Sequence, residues 1–279
     1  MSLIRVACEL DYQVKTPTSF LFNVAAANTP HQKVQSQQLR IEPAKQYDVC
    51  YLGAEDNRVF RFQASPGELT LNYQASVSLN AEVDSPPQIA ETEHPALPEE
   101  VLPYLNPSRY CESDLLGNFA MAEFGHLDRG YLRVDAIRNW THEHLQYQSG
   151  STNASTTACD VLIQRNGVCR DYAHLAIALC RALCIPARYV SGYAVALEPP
   201  DFHGFFEAYL ADRWYLFDAT RLAPIEGLVR IGMGRDAADV PFATLIGAAV
   251  LKKKVVTAQE LTDEIPRQVP AEEPAISTA

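Results

Sequence analysis

The sequence lacks the features that mark out several classes of protein. No apolar run approaches the roughly 20 residues of a membrane-spanning helix. Residues Met1 to Glu9 contain no apolar core of the kind that precedes a signal-peptide cleavage site. The formal net charge is −11 at pH 7, so the chain has no excess of basic residues. These absences predict a cytoplasmic protein that binds neither nucleic acid nor an anionic membrane surface.

Cysteine usage argues against a disulfide framework and against a structural metal. The chain has 7 cysteines, an odd number at irregular spacing, which favours reduced thiols in a protein of this length. Cys180 and Cys184 lie one helical turn apart, but no matching pair nearby would complete the four ligands of a structural zinc. His142 and His144 would face different ways on a helix. We therefore expect no metal and no cofactor.

Residues 1–85 are predicted to form a small β-sandwich. Apolar and polar residues alternate with period two over Val59–Gln63 and again over Leu69–Val77, which is typical of half-buried strands. Ser65-Pro66-Gly67 lies between the two runs and is a turn signal. Several short strands with few helix signals favour an antiparallel sandwich.

The rest of the chain divides into three segments. Residues 86–107 are rich in proline, which blocks helices and central strands and predicts an irregular connection. Residues 108–254 mix helix and strand patterns, and an apolar helix is expected from Cys169 to about Leu183. Residues 255–279 combine prolines with many acidic residues, which predicts a flexible acidic tail.

The chemistry points to Cys169. A glycine-bearing turn at Asn166-Gly167-Val168 runs directly into the predicted helix, which places the thiol at the first helical turn. Unpaired backbone N–H groups and the positive end of the helix dipole favour a thiolate there. The pKa of a cysteine in such a position falls to roughly 3.5–7.5. The thiolate would be a nucleophile, and the same N–H groups could hold an oxyanion.

Two aromatic strands downstream supply a candidate base and a candidate orienting acid. They meet at Ala211-Asp212, where a turn is expected. A two-residue turn would pair Leu210 with Arg213. In that register Asp218 shares a face with His203, as a diagonal neighbour about 7–8 Å away at the backbone. A three-residue loop would turn Asp218 to the other face, so the triad predicts an even loop length.

Three features together resemble bacterial transglutaminase-like cysteine hydrolases. The run Gly167–Leu175 resembles the nucleophile motif of that family. The spacings from Cys169 to His203 and from His203 to Asp218 are also similar to those of the family. So is the downstream run Gly234–Pro241. The resemblance covers roughly residues 130–245.

The resemblance implies an α+β fold, with a papain-like, transglutaminase-like core over residues 108–254 and the β-sandwich as an N-terminal accessory domain. It also implies a Cys-His-Asp triad of Cys169, His203 and Asp218. The chain departs from the family at Gly204-Phe205, where the family often has Ala-Trp, and this puts the wall beside the histidine and the substrate choice in question.

An oxyanion donor is expected upstream of the nucleophile. We choose Tyr147 as the side-chain candidate, with the backbone N–H of Cys169 as the second donor.

The sequence thus predicts a cysteine protease or amidase that acts on a peptide or protein substrate. The Cys169 thiolate would attack a peptide or carboxamide carbonyl, and water would resolve the acyl-enzyme. Two alternatives stay open: resolution by an amine, as in a protein-glutamine transglutaminase, and a peptide-binding module without activity. The acidic net charge favours a neutral or cationic substrate.

Overall fold

The computed structural model describes residues 2–261 and 274–279. Its strands, in chain order, are β1 (Ser2–Val14), β2 (Thr18–Phe22), β3 (Gln32–Glu42), β4 (Asp48–Leu52), β5 (Asn57–Ala64), β6 (Gly67–Leu79), β7 (Glu82–Asp84), β8 (Gln146–Tyr147), β9 (Asn166–Gly167), β10 (Ala187–Ala194), β11 (Phe202–Leu210), β12 (Arg213–Phe217), β13 (Leu228–Gly234), β14 (Ala243–Ile246), β15 (Ala249–Glu260) and β16 (Ala275–Ser277). Its α-helices are α1 (Gly117–Phe124), α2 (Tyr131–His144), α3 (Ala158–Gln164) and α4 (Cys169–Ala182). Within these described residues no helix is long and apolar enough to cross a membrane.

The N-terminal half is a sandwich of two antiparallel sheets, as predicted. One sheet has the strand order β15-β1-β6-β3 and the other β14-β2-β5-β4. The period-two pattern of β6 buries Leu69, Leu71 and Tyr73 between the sheets, because side chains alternate between the faces of a strand. Phe20 and Phe62 stack across the second sheet at 5.6 Å between ring centroids. Aromatic packing therefore fills the space between the two layers.

One outer strand of each sheet, β15 and β14, comes from the distant C-terminal part of the chain. β15 runs antiparallel to β1 from Ile4, opposite Glu260, to Val14, opposite Ala249. Residues 255–260 thus belong to an ordered strand, and the prediction of a flexible tail from residue 255 is wrong there. Most side chains of β15 stay exposed, since an edge strand needs ladder hydrogen bonds rather than an apolar face. Its sequence therefore carries little strand pattern.

The C-terminal end of the chain is buried as well. β16 pairs with β7, and Ile276 and Thr278 are each 1% exposed. The Thr278 carbonyl accepts a hydrogen bond from Thr29 at 3.0 Å, and its hydroxyl accepts one from Arg230 at 3.0 Å. The predicted tail is wrong here too, because these contacts hold the terminus inside the molecule. The remainder of that segment, residues 262–273, lies outside the described residues.

The second half has the predicted α+β architecture. Its antiparallel sheet has the order β12-β11-β10-β13, and α4 packs mainly against β10 and β11. From Asp171 to Arg181 every residue of α4 is buried, as expected of a helix enclosed on all sides. α1, α2 and α3 cover its other faces. The start of α4 therefore lies beside one end of the sheet.

The turn between β11 and β12 has two residues, so the predicted parity is confirmed. Leu210 pairs with Arg213, and Tyr209 pairs with Trp214. Ala211 and Asp212 both have positive φ, at 45° and 60°, as two-residue hairpin turns of type I′ require. The backbone N–H of Ala211 also donates to the carbonyl of Ala90, in the proline-rich connection, at 3.0 Å. The neighbouring segment thus holds a turn that its own residues favour only weakly.

Candidate active site

Cys169 is the first residue of α4 and is partly exposed. The buried Asp171 carboxylate accepts hydrogen bonds from the Val168 N–H at 2.9 Å and from the Thr152 hydroxyl at 2.6 Å. A Cβ at Gly167 would lie 2.8 Å from the Asp171 Cβ, so only glycine permits this close approach. The local sequence therefore fixes the helix mouth and presents the thiol at its positive end.

His203 and Asp218 form a buried pair. Nε2 of His203 lies 3.1 Å from Oδ2 of Asp218, and both side chains are almost fully buried. The Asp218 carboxylate also accepts hydrogen bonds from the Thr220 N–H at 2.8 Å, the Thr220 hydroxyl at 2.7 Å and the Ala223 N–H at 3.2 Å. Burial favours the neutral acid, but the hydrogen bonds and the histidine charge outweigh it and lower the pKa of Asp218. The group stays a carboxylate beside the imidazole.

The surroundings of His203 favour the imidazolium form. Burial lowers its pKa, but hydrogen bonds to Asp218 and to Cys169, with the charges of both groups, raise the pKa of His203 to about 10. Since Nε2 faces Asp218, Nδ1 is the nitrogen left for the thiol. A proton moving from Cys169 to His203 would therefore create a thiolate–imidazolium pair with the aspartate behind it.

Tyr147 lies beside the nucleophile because two short strands pair. β8 runs parallel to β9, with Tyr147 opposite Gly167. The Tyr147 hydroxyl lies close enough to Cys169 for the backbone and the side chain of that residue to affect its pKa. Burial and the charge of Cys169 raise the pKa of Tyr147 to about 12, so the phenol keeps its proton. Such a hydroxyl can donate a hydrogen bond to an oxyanion formed at the thiol.

The structure thus brings together all four residues that the sequence singled out. It adds Thr220, which the sequence analysis did not assign. The Thr220 hydroxyl donates to Asp218 and lies 3.2 Å from Nε2 of His203. Its position two residues after Asp218 and opposite His203 in the two-residue-turn register was the available signal. Thr220 therefore contacts both the carboxylate and the imidazole.

The departure from the family pattern at Gly204 has a steric explanation. A Cβ at Gly204 would lie 2.5 Å from the Tyr189 hydroxyl. Tyr189 packs against His174 with ring centroids 5.4 Å apart. Nε2 of His174 accepts a hydrogen bond from the Ala237 N–H at 3.1 Å, and burial lowers the pKa of His174 to about 3. His174 therefore ties α4 to the 234–241 segment as a neutral ring.

Comparisons with known proteins place this arrangement in a family. Residues 122–219 match the family model described as transglutaminase-like superfamily, and residues 2–87 match bacterial transglutaminase, N-terminal domain. A crystal structure from Cytophaga hutchinsonii, described as "a putative cysteine protease", is 40% identical, with a TM-score of 0.95 over 100% of this chain and 98% of that chain.

Curated relatives match over a shorter stretch. The uncharacterized protein ML0607 of Mycobacterium leprae is 35% identical over 116 residues, which are 38% of this chain and 41% of that protein. The uncharacterized protein Mb2599c of Mycobacterium bovis is 37% identical over 110 residues, 34% of this chain and 35% of that protein. The matches thus span less than half of these relatives. With the full-length structural likeness, the findings show that the chain belongs to the transglutaminase-like superfamily and carries a bacterial transglutaminase N-terminal domain before its core.

Proposed function

We propose that the protein is a cysteine-nucleophile enzyme that hydrolyses peptide or carboxamide bonds. The observation that carries the proposal is the buried His203–Asp218 pair, 3.1 Å apart, with Cys169 near it at the first turn of α4. A thiol at a helix N-terminus, a base and an orienting acid are the parts that nucleophilic acyl transfer requires. The triad of Cys169, His203 and Asp218 supplies them in that order.

In the first half-reaction the Cys169 thiolate attacks the carbonyl carbon of the amide. The C–S bond forms while the carbonyl oxygen becomes an oxyanion, which the Cys169 N–H and the Tyr147 hydroxyl stabilise. The His203 imidazolium then gives its proton to the amide nitrogen, and the C–N bond breaks. An amine leaves and a thioester remains on Cys169. Asp218 keeps the imidazole oriented throughout.

In the second half-reaction a water molecule attacks the thioester. His203, now neutral, takes a proton from the water, the C–S bond breaks, and the carboxylic acid leaves. An amine in place of water would give transglutaminase-type transfer through the same acyl-enzyme. We favour water because a relative that matches the whole chain at 40% identity carries the description "a putative cysteine protease".

The test is incubation with a peptide library that contains glutamine and isopeptide amides, together with a labelled primary amine. Mass spectrometry reads cleavage, loss of ammonia and amine incorporation, with Cys169→Ser as the control. Cleavage or deamidation that Cys169→Ser abolishes supports hydrolysis. Amine incorporation as the main product would establish transfer instead. No Cys169-dependent product with any amide would refute the proposal.

Thiol reactivity distinguishes the proposed enzyme from a peptide-binding module without activity. Iodoacetamide at pH 6 labels Cys169 faster than free cysteine if His203 holds the thiol as an ion pair, and His203→Ala removes the advantage. Exposed Cys184 in the same molecule is the internal reference. A Cys169 no faster than Cys184 favours the binding module.

A further inference from the structure

Asp201 directly precedes β11, two residues before His203, at a position that we call the rim of the candidate site. One carboxylate oxygen accepts a hydrogen bond from the Phe202 N–H at 2.7 Å. The other lies 2.6 Å from Nζ of Lys254 on β15. Both side chains stay partly exposed, at 40% for Asp201 and 34% for Lys254. The Lys254 ammonium, from the N-terminal sandwich, thus forms an ion pair with a carboxylate two residues before the candidate base.

The direction of Lys254 follows from the register of β15. Lys254 is opposite Leu10, a buried residue of β1, whereas Lys253 is opposite Asp11. Side chains alternate between faces, so the two neighbouring lysines point to opposite sides of the sheet. Lys253 forms an ion pair with Glu9 on the other face. The chain therefore offers a matched control: a lysine on the same strand that does not reach the rim.

Asp201 also acts on the groups around the thiol. After burial and Cys169, the Asp201 charge contributes to raising the pKa of Tyr147, the side chain beside Cys169. The cation next in sequence to the thiol is Arg170, and its guanidinium is bound to the Asp171 carboxylate and the Asn153 carbonyl. The Arg170 guanidinium is therefore held by hydrogen bonds to Asp171 and Asn153. Asp201, in contrast, contacts a partly exposed lysine that a substrate ammonium could replace.

We propose that Asp201 is a specificity residue that binds a primary ammonium group carried by the substrate near the scissile amide, and that Lys254 holds this place in the resting protein. The inference rests on the proposed function and narrows its substrate class to cationic amides. The Lys254 ammonium shows that the carboxylate accepts such a group at this position. Replacing one partly exposed ion pair by another costs little, because solvent screens such pairs and leaves them only weakly stabilising.

Charged thiol reagents test the rim independently of amide turnover. We compare 2-aminoethyl methanethiosulfonate, which is cationic, with neutral methyl methanethiosulfonate, and read modification of Cys169 relative to Cys184 by peptide mapping. Asp201→Asn should lower the cationic-to-neutral rate ratio at Cys169 by about 3–10-fold, as expected for a screened charge at short range. Lys254→Ala should raise the ratio, and Lys253→Ala should leave it unchanged.

Peptides extend the test to substrate binding. A peptide with lysine next to the cleaved amide should show a lower KM than its norleucine counterpart. Lys254→Ala should widen this difference in KM, whereas Asp201→Asn should remove it.

An unchanged reagent ratio in Asp201→Asn, or a lower ratio in Lys254→Ala, would overturn the inference. Equal effects on both reagents would show an interdomain ion pair only. If Asp201→Asn fails to fold, Lys254→Ala still decides. Absence of any amide turnover would refute the proposed function alone, because the reagent ratio is measured without it.

Discussion

Asp218 accepts more hydrogen bonds than orienting a histidine requires. Besides His203, the Thr220 N–H and hydroxyl and the Ala223 N–H all donate to its carboxylate. These donors keep the acid ionised in a buried place, where an unpaired charge would be costly. The ionised acid in turn favours the protonated form of His203. At the scale of residues, the charge state of the site therefore depends on Asp218 and its neighbours.

This coupling predicts how stability depends on pH. The pKa of His203 is raised to about 10 in the folded protein, against about 6.5 for an unfolded chain. The stabilisation is fully present below about pH 6.5 and is lost as the pH rises through about 10. The free energy of unfolding of the wild type should therefore fall over that window. In Asp218→Asn we expect this fall, measured by urea unfolding, to be smaller than in the wild type by more than about 1.4 kcal/mol, which corresponds to one pKa unit. Parallel curves for the two proteins would contradict the assigned coupling.

Tyr147→Phe tests the proposed side-chain donor to the oxyanion. The substitution keeps the ring beside Tyr172, where the centroids are 5.9 Å apart, and removes only the hydroxyl. We expect kcat for a cleaved amide to fall about 10²-fold, as for loss of one oxyanion donor in other enzymes, with little change in KM. An unchanged or increased kcat would mean that the Cys169 N–H acts alone.

At the scale of elements, the hairpin of β11 and β12 decides whether the site exists. Its two-residue turn sets the register that brings Asp218 to His203. The turn residues carry a backbone cost, since non-glycine residues resist positive φ. Strand burial offsets this cost: from His203 to Leu210 every residue of β11 is buried. The sheet therefore imposes the turn.

Ala211→Gly measures that imposed cost. Ala211 has φ 45°, a conformation that glycine adopts without a steric penalty. The relief is partly cancelled by the greater freedom of glycine in the unfolded chain, so we expect a gain of about 0.5–1 kcal/mol in the free energy of unfolding. Urea titration measures it, with Ala154→Gly on the exposed loop as the control. A loss of stability at Ala211 would show that the turn is not strained.

At the scale of the whole molecule, a buried chain of charges joins the two halves. Arg188 binds Glu55 of the sandwich at 3.1 Å and Glu207 of the central sheet at 2.7 Å. Glu207 also binds Arg230, which holds Thr278 at the C-terminus. Burial alone would raise the pKa of Glu207, but Arg230 and Arg188 outweigh it and lower the pKa to about 2. The terminus, the sandwich and the α+β half are thus expected to unfold together.

Ile276→Ala tests the buried terminus. Ile276 is 1% exposed and packs in an apolar cluster with Phe205 of β11. Truncating a buried isoleucine costs about 2–5 kcal/mol, so we expect a loss in that range by urea unfolding. Val83→Ala, at an exposed position on the partner strand, should cost much less. A loss below about 1 kcal/mol at Ile276 would mean that the terminus is held loosely.

Features that depend on local or periodic patterns could be predicted from the sequence alone. The glycine before Cys169 and the apolar helix after it place the thiol at a helix mouth. The alternation of Leu69–Val77 indicates a strand with one buried face. The parity of the β11–β12 turn follows from requiring His203 and Asp218 on one face. Each of these rests on neighbours a few residues apart, which sequence alone can relate.

The pairing of distant segments could not be predicted from the sequence, because it depends on the packing of the whole fold. β15 completes a sheet begun at Ser2, and β16 returns to the interior beside β7. The Asp201–Lys254 ion pair and the seat of Thr278 follow from those pairings. An edge strand needs only ladder hydrogen bonds and buries little, so it leaves no apolar period in its own residues. The strand with which such an edge strand pairs is therefore determined by the shape and the free hydrogen-bonding groups of the rest of the fold.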